Sequence, residues 1–239
     1  MHKCVQTFFI VGCHGNPIFQ IRELYWEGTM AFIRIPYDQW ERKEYLEFFQ
    51  NSSIYITEQL DMTKLYCHIK QKGLRLYPSL VYCTAKVVNQ YPEFRYAYDE
   101  QHCVGIWEEL HPYYTVPRVD NPTLFSMKYS VYSPDFLTFY HTFEQDYKVA
   151  EHCGRLLCDE TMPKNIFGVS IAPGVPFTGF CFGGEPKEDF VPFVLFGKLT
   201  HQGDRFLLPV GAEFSHAVND GQHISRFFEQ LKETADNLL

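Results

Sequence analysis

The sequence lacks several features that would place it in a specialised class of protein. Its eight cysteines form no CxxC pair and no zinc-ligand spacing, and no apolar run is long enough to span a membrane. No Ser/Gly/Pro-rich linker, internal repeat or low-complexity tract divides the chain. Basic residues number 21 against 29 acidic ones, a net charge of −8 that argues against a general nucleic-acid binder. We therefore expect a cytoplasmic protein with reduced thiols and no membrane, nucleic-acid or metal partner.

Apolar residues, by contrast, are abundant. They make up 46% of the 239 residues, with 22 Phe and 16 Tyr, and a chain of this length buries roughly three quarters of its unfolded surface. We predict one domain over residues 30–239 and an N-terminal extension over residues 1–29, disordered or loosely docked outside the core. The alternative for the extension is a lipoprotein-like signal ending at Cys13, although Gln6 interrupts its short apolar stretch.

The hydrophobic periodicity predicts alternating helices and strands in the first half and mostly strands in the second. Helices are expected over residues 38–50, 61–73, 78–89 and 133–149, and the apolar stripe of Ile224, Phe227, Phe228 and Leu231 indicates a last one. Strands are expected over residues 31–36, 53–58, 94–98, 103–107, 113–116, 166–171, 177–180, 192–200 and 205–210. The first helix should bury Trp40, Tyr45, Phe48 and Phe49, and Asp61 should cap the second. The pattern indicates an α/β or α+β two-layer sandwich with a large mixed sheet flanked by helices.

One histidine lies where a strand gives way to a helix. Of the ten histidines, His216 alone has an aspartate, Asp220, four residues later. A neutral imidazole in such a loop can act as a general base. Asp220 could orient the ring directly, fix the loop through another partner such as an arginine, or only cap the helix. The spacing alone leaves a purely structural His216 open.

A serine interrupts an apolar strand. Ser170 follows residues 166–169 and precedes Ala172 and Pro173. Its hydroxyl could be satisfied in the core, or it could donate to a developing oxyanion. A nucleophilic role is disfavoured because no GxSxG turn surrounds it.

Taken together, these residues make the chain resemble the chloramphenicol acetyltransferase family over about residues 31–235. The likeness is carried, in chain order, by YDQWERKE at 37–44, YPEFR at 91–95, HPYYTV at 111–116, VSIAP at 169–173, GDR and LLP within 203–209, and the SHAVNDG loop at 215–221. The resemblance implies the coenzyme A-dependent acyltransferase fold and a homotrimer with active sites between subunits.

The resemblance also implies a role for each of these site residues. His216 matches the base that deprotonates the acceptor hydroxyl for direct attack on acetyl-CoA, and Ser170 matches the serine that stabilises the oxyanion. Asp220 and Arg42 match an ion pair that holds the histidine loop, which favours a structural Asp220 over a triad member. Lys198 is a candidate for binding coenzyme A, by its position. The acceptor pocket is expected to involve Phe48, Phe49, Thr115, Phe125 and Leu195.

The departures from the family pattern concern the acceptor. Leu195 stands where the family has a threonine that holds water, Gly174 where it has a tryptophan, and Phe49 where it often has tyrosine. Three hypotheses follow: an O-acetyltransferase acting on chloramphenicol or a similar hydroxylated molecule; the same chemistry on a different acceptor; and a trimeric binding protein without turnover. An acyltransferase core of a 2-oxo acid dehydrogenase is disfavoured because no lipoyl segment is recognised.

Overall fold

The described residues form twelve strands and five helices. The computed structural model describes residues 3–11, 17–27, 30–50, 52–183 and 189–238. The strands are β1 (Lys3–Val11), β2 (Pro17–Glu27), β3 (Met30–Arg34), β4 (Ser53–Asp61), β5 (Tyr96–Tyr98), β6 (Val104–Trp107), β7 (His111–Pro117), β8 (Phe125–Tyr129), β9 (Ile166–Ile171), β10 (Phe193–Phe196), β11 (Thr200–Gln202) and β12 (Arg205–Ser215). The helices are α1 (Lys43–Phe49), α2 (Thr63–Gln71), α3 (Leu76–Gln90), α4 (Phe136–Glu151) and α5 (Gly221–Asp236).

The strands form two sheets. The first has the order β1-β2-β3-β6-β5 and its pairs are antiparallel. The second has seven strands in the order β11-β12-β10-β9-β7-β8, with β4 also paired to β12. In this sheet β9 runs parallel to both β7 and β10, and the other pairs are antiparallel. The predicted mixed sheet flanked by helices is therefore confirmed.

The main core lies between the seven-stranded sheet and the long helices. Alternate residues of β12, among them Val210, Ala212 and Phe214, are fully buried in it. The apolar stripe of α5 supplies Phe227 and Leu231 to the same core, also fully buried. Because side chains alternate across a strand, the intervening positions of β12, β10 and β9 face away from these helices.

Aromatic rings pack on this second face of the sheet where glycines leave room for them. A Cβ added at Gly168 would lie 2.4 Å from Cδ2 of Phe193, and one added at Gly211 would lie 2.6 Å from Cβ of Phe180. The rings of Phe180 and Phe193 are stacked with centroids 6.0 Å apart. The glycines therefore allow the segment after β9 to cover part of the sheet.

The structure corrects the predicted first helix. A 3-10 turn at Tyr37–Gln39 precedes α1, which begins only at Lys43. Trp40 is buried as expected, but Tyr45 and Phe48 are exposed by 45% and 82%. Leu46 packs against the cluster that contains Trp40, and Phe49 is half-buried against His216, so only part of the predicted apolar face is covered within one chain.

Other differences are local. Met62 takes the N-cap position of α2, with Asp61 accepting a hydrogen bond from the amide of Thr63 at 3.0 Å. Residues 177–180 form no strand, because Phe180 packs on the sheet face and does not join the sheet. The strands β1, β2 and β8 were not predicted from the sequence. The division at residue 29 stays a prediction.

No helix in the described ranges has the length and apolar character to cross a membrane.

The buried His111 should make the stability of the fold depend on pH. It is 5% exposed, and its Nδ1 accepts the amide hydrogen of Tyr132 at 3.1 Å. Burial lowers the pKa of His111 from 6.5 to about 4. As the pH falls, His111 therefore takes up a proton in the unfolded chain before it does so in the folded one. The contribution of the neutral, buried His111 to the free energy of unfolding is complete above about pH 6.5 and is lost as the pH falls toward 4.

Replacing His111 with asparagine should make the free energy of unfolding less dependent on pH between 6.5 and 4, since the amide oxygen can accept from Tyr132 without titrating. Urea unfolding at several pH values measures this. His141→Asn, at an exposed histidine, is the control and should keep the wild-type slope. An unaltered slope in His111→Asn would contradict the prediction.

Candidate active site

The loop that carries His216 connects β12 to α5 and is fixed on both sides. The amide of His216 donates to the carbonyl of Ser52 at 2.8 Å. The next two residues, Ala217 and Val218, are fully buried in a small cluster with Trp40. The loop is therefore anchored by a hydrogen bond to the start of β4 and by apolar burial against the segment before α1.

The ring of His216 has a defined tautomer. Its Nδ1 lies 3.2 Å from the backbone oxygen of Asn219. A carbonyl oxygen can only accept, so Nδ1 carries the proton and Nε2 of the neutral ring keeps a lone pair. The ring of Phe49 stacks on the imidazole, with centroids 3.6 Å apart and planes inclined by 24°. The half-buried ring can thus accept a proton at Nε2.

Arg42 holds the loop through two contacts. Its Nη1 is 3.1 Å from Oδ2 of Asp220, and its Nε donates to the backbone oxygen of Ala217 at 3.2 Å. The side chain of Arg42 is 11% exposed and that of Asp220 is 38% exposed. Burial by itself raises the pKa of Asp220, but the hydrogen bond and charge of Arg42, with the backbone amide of Gln222, outweigh it, and the pKa is lowered.

Asp220 is also the N-cap of α5. Its Oδ1 accepts the amide hydrogen of Gln222 at 3.1 Å, and Nδ1 of His223 accepts the amide hydrogen of Asp220 at 3.2 Å. Within the part of the chain that the structure describes, Asp220 and His216 form no hydrogen bond with each other. The geometry therefore favours the loop-anchoring and capping roles of Asp220 over the triad role.

Ser170 lies on the sheet face that points away from the long helices. Its Cα partner on β10 is Leu195, which in turn pairs with Gly211 of β12. Partners in adjacent strands share a face, so the Leu195 side chain lies beside that of Ser170. The Oγ of Ser170 is 3.5 Å from Oγ1 of Thr115 on β7. Ser170, Thr115 and Leu195 thus form a small half-buried group.

Within one chain, His216 and Ser170 do not meet. Ser170 is two strands from Gly211, and His216 lies five residues beyond Gly211 along β12 and its turn. With about 4.8 Å between strands and about 3.3 Å per residue, their Cα atoms are roughly 19 Å apart. Side chains cannot bridge this distance to act on one carbonyl group.

The remaining predicted site residues lie mostly on the surface. Phe48 is 82% exposed and packs edge-on against Phe49, with ring centroids 5.0 Å apart. Phe125 is 46% exposed at the start of β8. Lys198 is exposed, and its backbone amide donates to the oxygen of Val175 at 2.9 Å. The structure brings Phe49 to His216, with Phe48 against Phe49, and it brings Thr115 and Leu195 to Ser170. In the described part of the chain, Phe125 and Lys198 make no hydrogen bond or ring contact with either group.

Among the residues that the structure describes, no three His, Cys, Asp or Glu side chains are grouped so that they could hold a metal ion.

One contact of His216, Asn219, was not predicted from the sequence. The only sequence signal was its place between the histidine and Asp220 in the loop.

Comparisons with known proteins identify the family to which the chain belongs. The family model described as chloramphenicol acetyltransferase matches residues 30–232. A chloramphenicol acetyltransferase of Clostridium perfringens is 36% identical over 212 residues, covering 87% of this chain and 96% of that protein. A solved chloramphenicol acetyltransferase has a TM-score of 0.73 at 21% identity, covering 84% of this chain and 98% of its own.

A second solved structure has the same fold at a greater distance. A dihydrolipoamide acetyltransferase of Azotobacter vinelandii gives a TM-score of 0.60 at 18% identity, covering 78% of this chain and 82% of its own. The predicted acyltransferase fold is confirmed. The chain belongs to the chloramphenicol acetyltransferase family and is an acyltransferase enzyme.

The paired contacts of Arg42 lead to a stability prediction. Lysine keeps the charge at position 42 but has one ammonium group, which cannot span both the Asp220 carboxylate and the Ala217 carbonyl. We expect Arg42→Lys to lower the free energy of unfolding by about 1–3 kcal/mol. Chemical denaturation measures it.

The matched control for that substitution is Arg75→Lys. Arg75 is 48% exposed and pairs with Glu144 on α4, so its replacement should cost less than about 1 kcal/mol. Equal losses in the two variants would contradict an anchoring role for Arg42.

Proposed function

We propose that this member of the chloramphenicol acetyltransferase family is an acetyl-CoA-dependent O-acetyltransferase with His216 as general base. The observation that carries the proposal is the contact of Nδ1 with the Asn219 carbonyl, which leaves Nε2 of the neutral ring able to accept a proton. The family match supports acetyl transfer, and acetyl-CoA is the co-substrate that this family uses.

In the proposed reaction, Nε2 of His216 takes the proton of the acceptor hydroxyl as its oxygen attacks the thioester carbonyl carbon. The resulting oxyanion receives a hydrogen bond from the hydroxyl of Ser170. Collapse of the tetrahedral intermediate breaks the C–S bond, and the imidazolium returns its proton to the departing thiolate. The products are an acetyl ester and coenzyme A, and the enzyme carries no acetyl group.

The distance between the two groups supports a site shared by neighbouring subunits. Since His216 and Ser170 are roughly 19 Å apart in one chain by strand geometry, a reacting carbonyl can touch both only if they come from different copies. We propose a cytoplasmic homotrimer in which His216 of one subunit faces Ser170 of the next. The exposed Phe48 fits this arrangement because a neighbouring copy would cover it.

The acceptor is proposed to be chloramphenicol or a similar hydroxylated small molecule. Phe49, Thr115 and Leu195 supply walls near the two catalytic groups, and Phe48 and Phe125 are proposed to add further apolar surface. Lys198 is exposed and is proposed to meet the negative charges of coenzyme A, which an acidic protein must bind with local cations.

A second candidate is the same reaction on a different acceptor. Leu195 favours it, because an apolar side chain directly beside Ser170 cannot hydrogen-bond to the acceptor or to water there. Rapid acetylation of chloramphenicol would eliminate this candidate. Coenzyme A binding without transfer to any hydroxylated or amine acceptor would favour a binding protein without turnover.

The reaction is tested by thiol release from acetyl-CoA in the presence of chloramphenicol. His216→Ala should lose roughly 10²–10⁴-fold in kcat because the general base is removed. Ser170→Ala should lose roughly 10²–10³-fold because one oxyanion donor is removed. His141→Ala, at an exposed position on α4, should retain wild-type activity. Unchanged turnover in His216→Ala would refute the mechanism.

The shared site is tested by mixing two inactive variants. Trimers assembled by unfolding and refolding His216→Ala together with Ser170→Ala should regain activity, because some interfaces then combine an intact His216 with an intact Ser170. Each variant refolded alone is the control and should remain inactive. No recovery from properly assembled mixed trimers would contradict a site built between subunits.

A further inference from the structure

Asn219 makes three hydrogen-bond contacts that together hold the histidine loop. It is fully buried, and its backbone amide donates to the oxygen of Ser215 at 2.9 Å. Its side-chain Nδ2 donates to the backbone oxygen of Glu93 at 3.1 Å, across 126 positions of sequence. Its own backbone oxygen lies 3.2 Å from Nδ1 of His216. One residue therefore links the ring, the loop and a distant segment.

The distant end of this link is itself held in place. Glu93 is 8% exposed and lies in the 3-10 turn Pro92–Phe94. Its Oε1 is 2.8 Å from Nη1 of Arg226 on α5, and Phe94 packs edge-on against Phe227 with ring centroids 5.5 Å apart. The carbonyl that receives the Asn219 amide is thus part of a rigid surface.

We propose that Asn219 is a positioning residue for His216: its side-chain bond to Glu93 holds the Asn219 backbone carbonyl where it receives the Nδ1 proton. The inference rests on the proposed function of His216 as base. Every residue has a backbone carbonyl, but the direction of this one depends on the peptide plane between Asn219 and Asp220. The side-chain amide fixes that plane from one side, and the pairing of Asp220 with Arg42 fixes it from the other.

The consequence concerns the tautomer of the ring. With the carbonyl in place, the proton of neutral His216 stays on Nδ1, and Nε2 can accept from the acceptor. Without it, the proton can move to Nε2, and that nitrogen then has no lone pair for the reaction. The loss should appear in kcat, since neither substrate needs to touch Asn219 in order to bind.

The test is Asn219→Ala in the full chain, with acetyl-CoA and whichever acceptor supports turnover in the wild type. We expect kcat to fall by about 10- to 100-fold from the misplaced ring, while the KM values stay within about twofold. Long-range ¹H–¹⁵N correlation spectra of ring-labelled histidine, with His216 assigned through His216→Gln, should show one Nδ1–H tautomer in the wild type and a mixture in the variant.

Asn165→Ala is the matched control. Asn165 is 5% exposed and its Nδ2 donates to the backbone oxygen of Glu109 at 3.0 Å, so its removal also deletes a buried amide-to-carbonyl bond. It should lower Tm comparably while kcat and the His216 tautomer stay as in the wild type. If Asn219→Ala does not fold, Asn219→Val, which refills most of the space with an uncharged side chain that has no donor, takes its place.

Wild-type kcat in the Asn219 variant would overturn the inference, and so would a His216 ring that remains wholly in the Nδ1–H tautomer. Loss of kcat in Asn165→Ala to the same degree would also overturn it, because the effect would then follow from stability alone. If the wild type and His216→Ala are equally inactive with every acceptor, the proposed function fails, and the tautomer spectra still decide the role of Asn219.

Discussion

The histidine loop depends on an interaction between two parts of the chain that are far apart in sequence. Arg42 reaches across 178 positions to Asp220 and, with a second nitrogen, to the backbone of Ala217. Because its side chain is 11% exposed, the guanidinium is largely removed from water and needs both acceptors to offset its desolvation. This contact joins the start of α1 to the start of α5 and so fixes the loop between them.

The seven-stranded sheet imposes the second constraint. Side chains of its strands point alternately to two faces. One face packs under the long helices, and the other carries Ser170, Leu195 and Thr115. The register then keeps Ser170 about two strands and five residues away from His216. A rigid sheet cannot close such a gap by side-chain movement, so the chemistry that we propose needs a second copy of the chain.

The sequence predicted the elements whose burial follows from local periodicity. The stripe containing Ile224, Phe227 and Leu231 predicted α5, and each of these side chains is buried. The same reasoning was wrong for Tyr45 and Phe48, because periodicity indicates an apolar face without saying whether a partner covers it within one chain. For residues 177–180 an apolar run was predicted as a strand, but the ring of Phe180 packs on a sheet that already exists.

The sequence by itself determined the family, the alternation of helices and strands, and the residue types that can do the chemistry: an imidazole, a hydroxyl and a charge pair. These are properties of residue identity and spacing. Only the tertiary structure decided which nitrogen of His216 carries the proton, because that depends on the direction of the Asn219 carbonyl. It also decided that Arg42, which the family resemblance had paired with Asp220, donates to the backbone oxygen of Ala217 as well, since contacts over such sequence distances arise from packing and leave no periodic trace in the sequence.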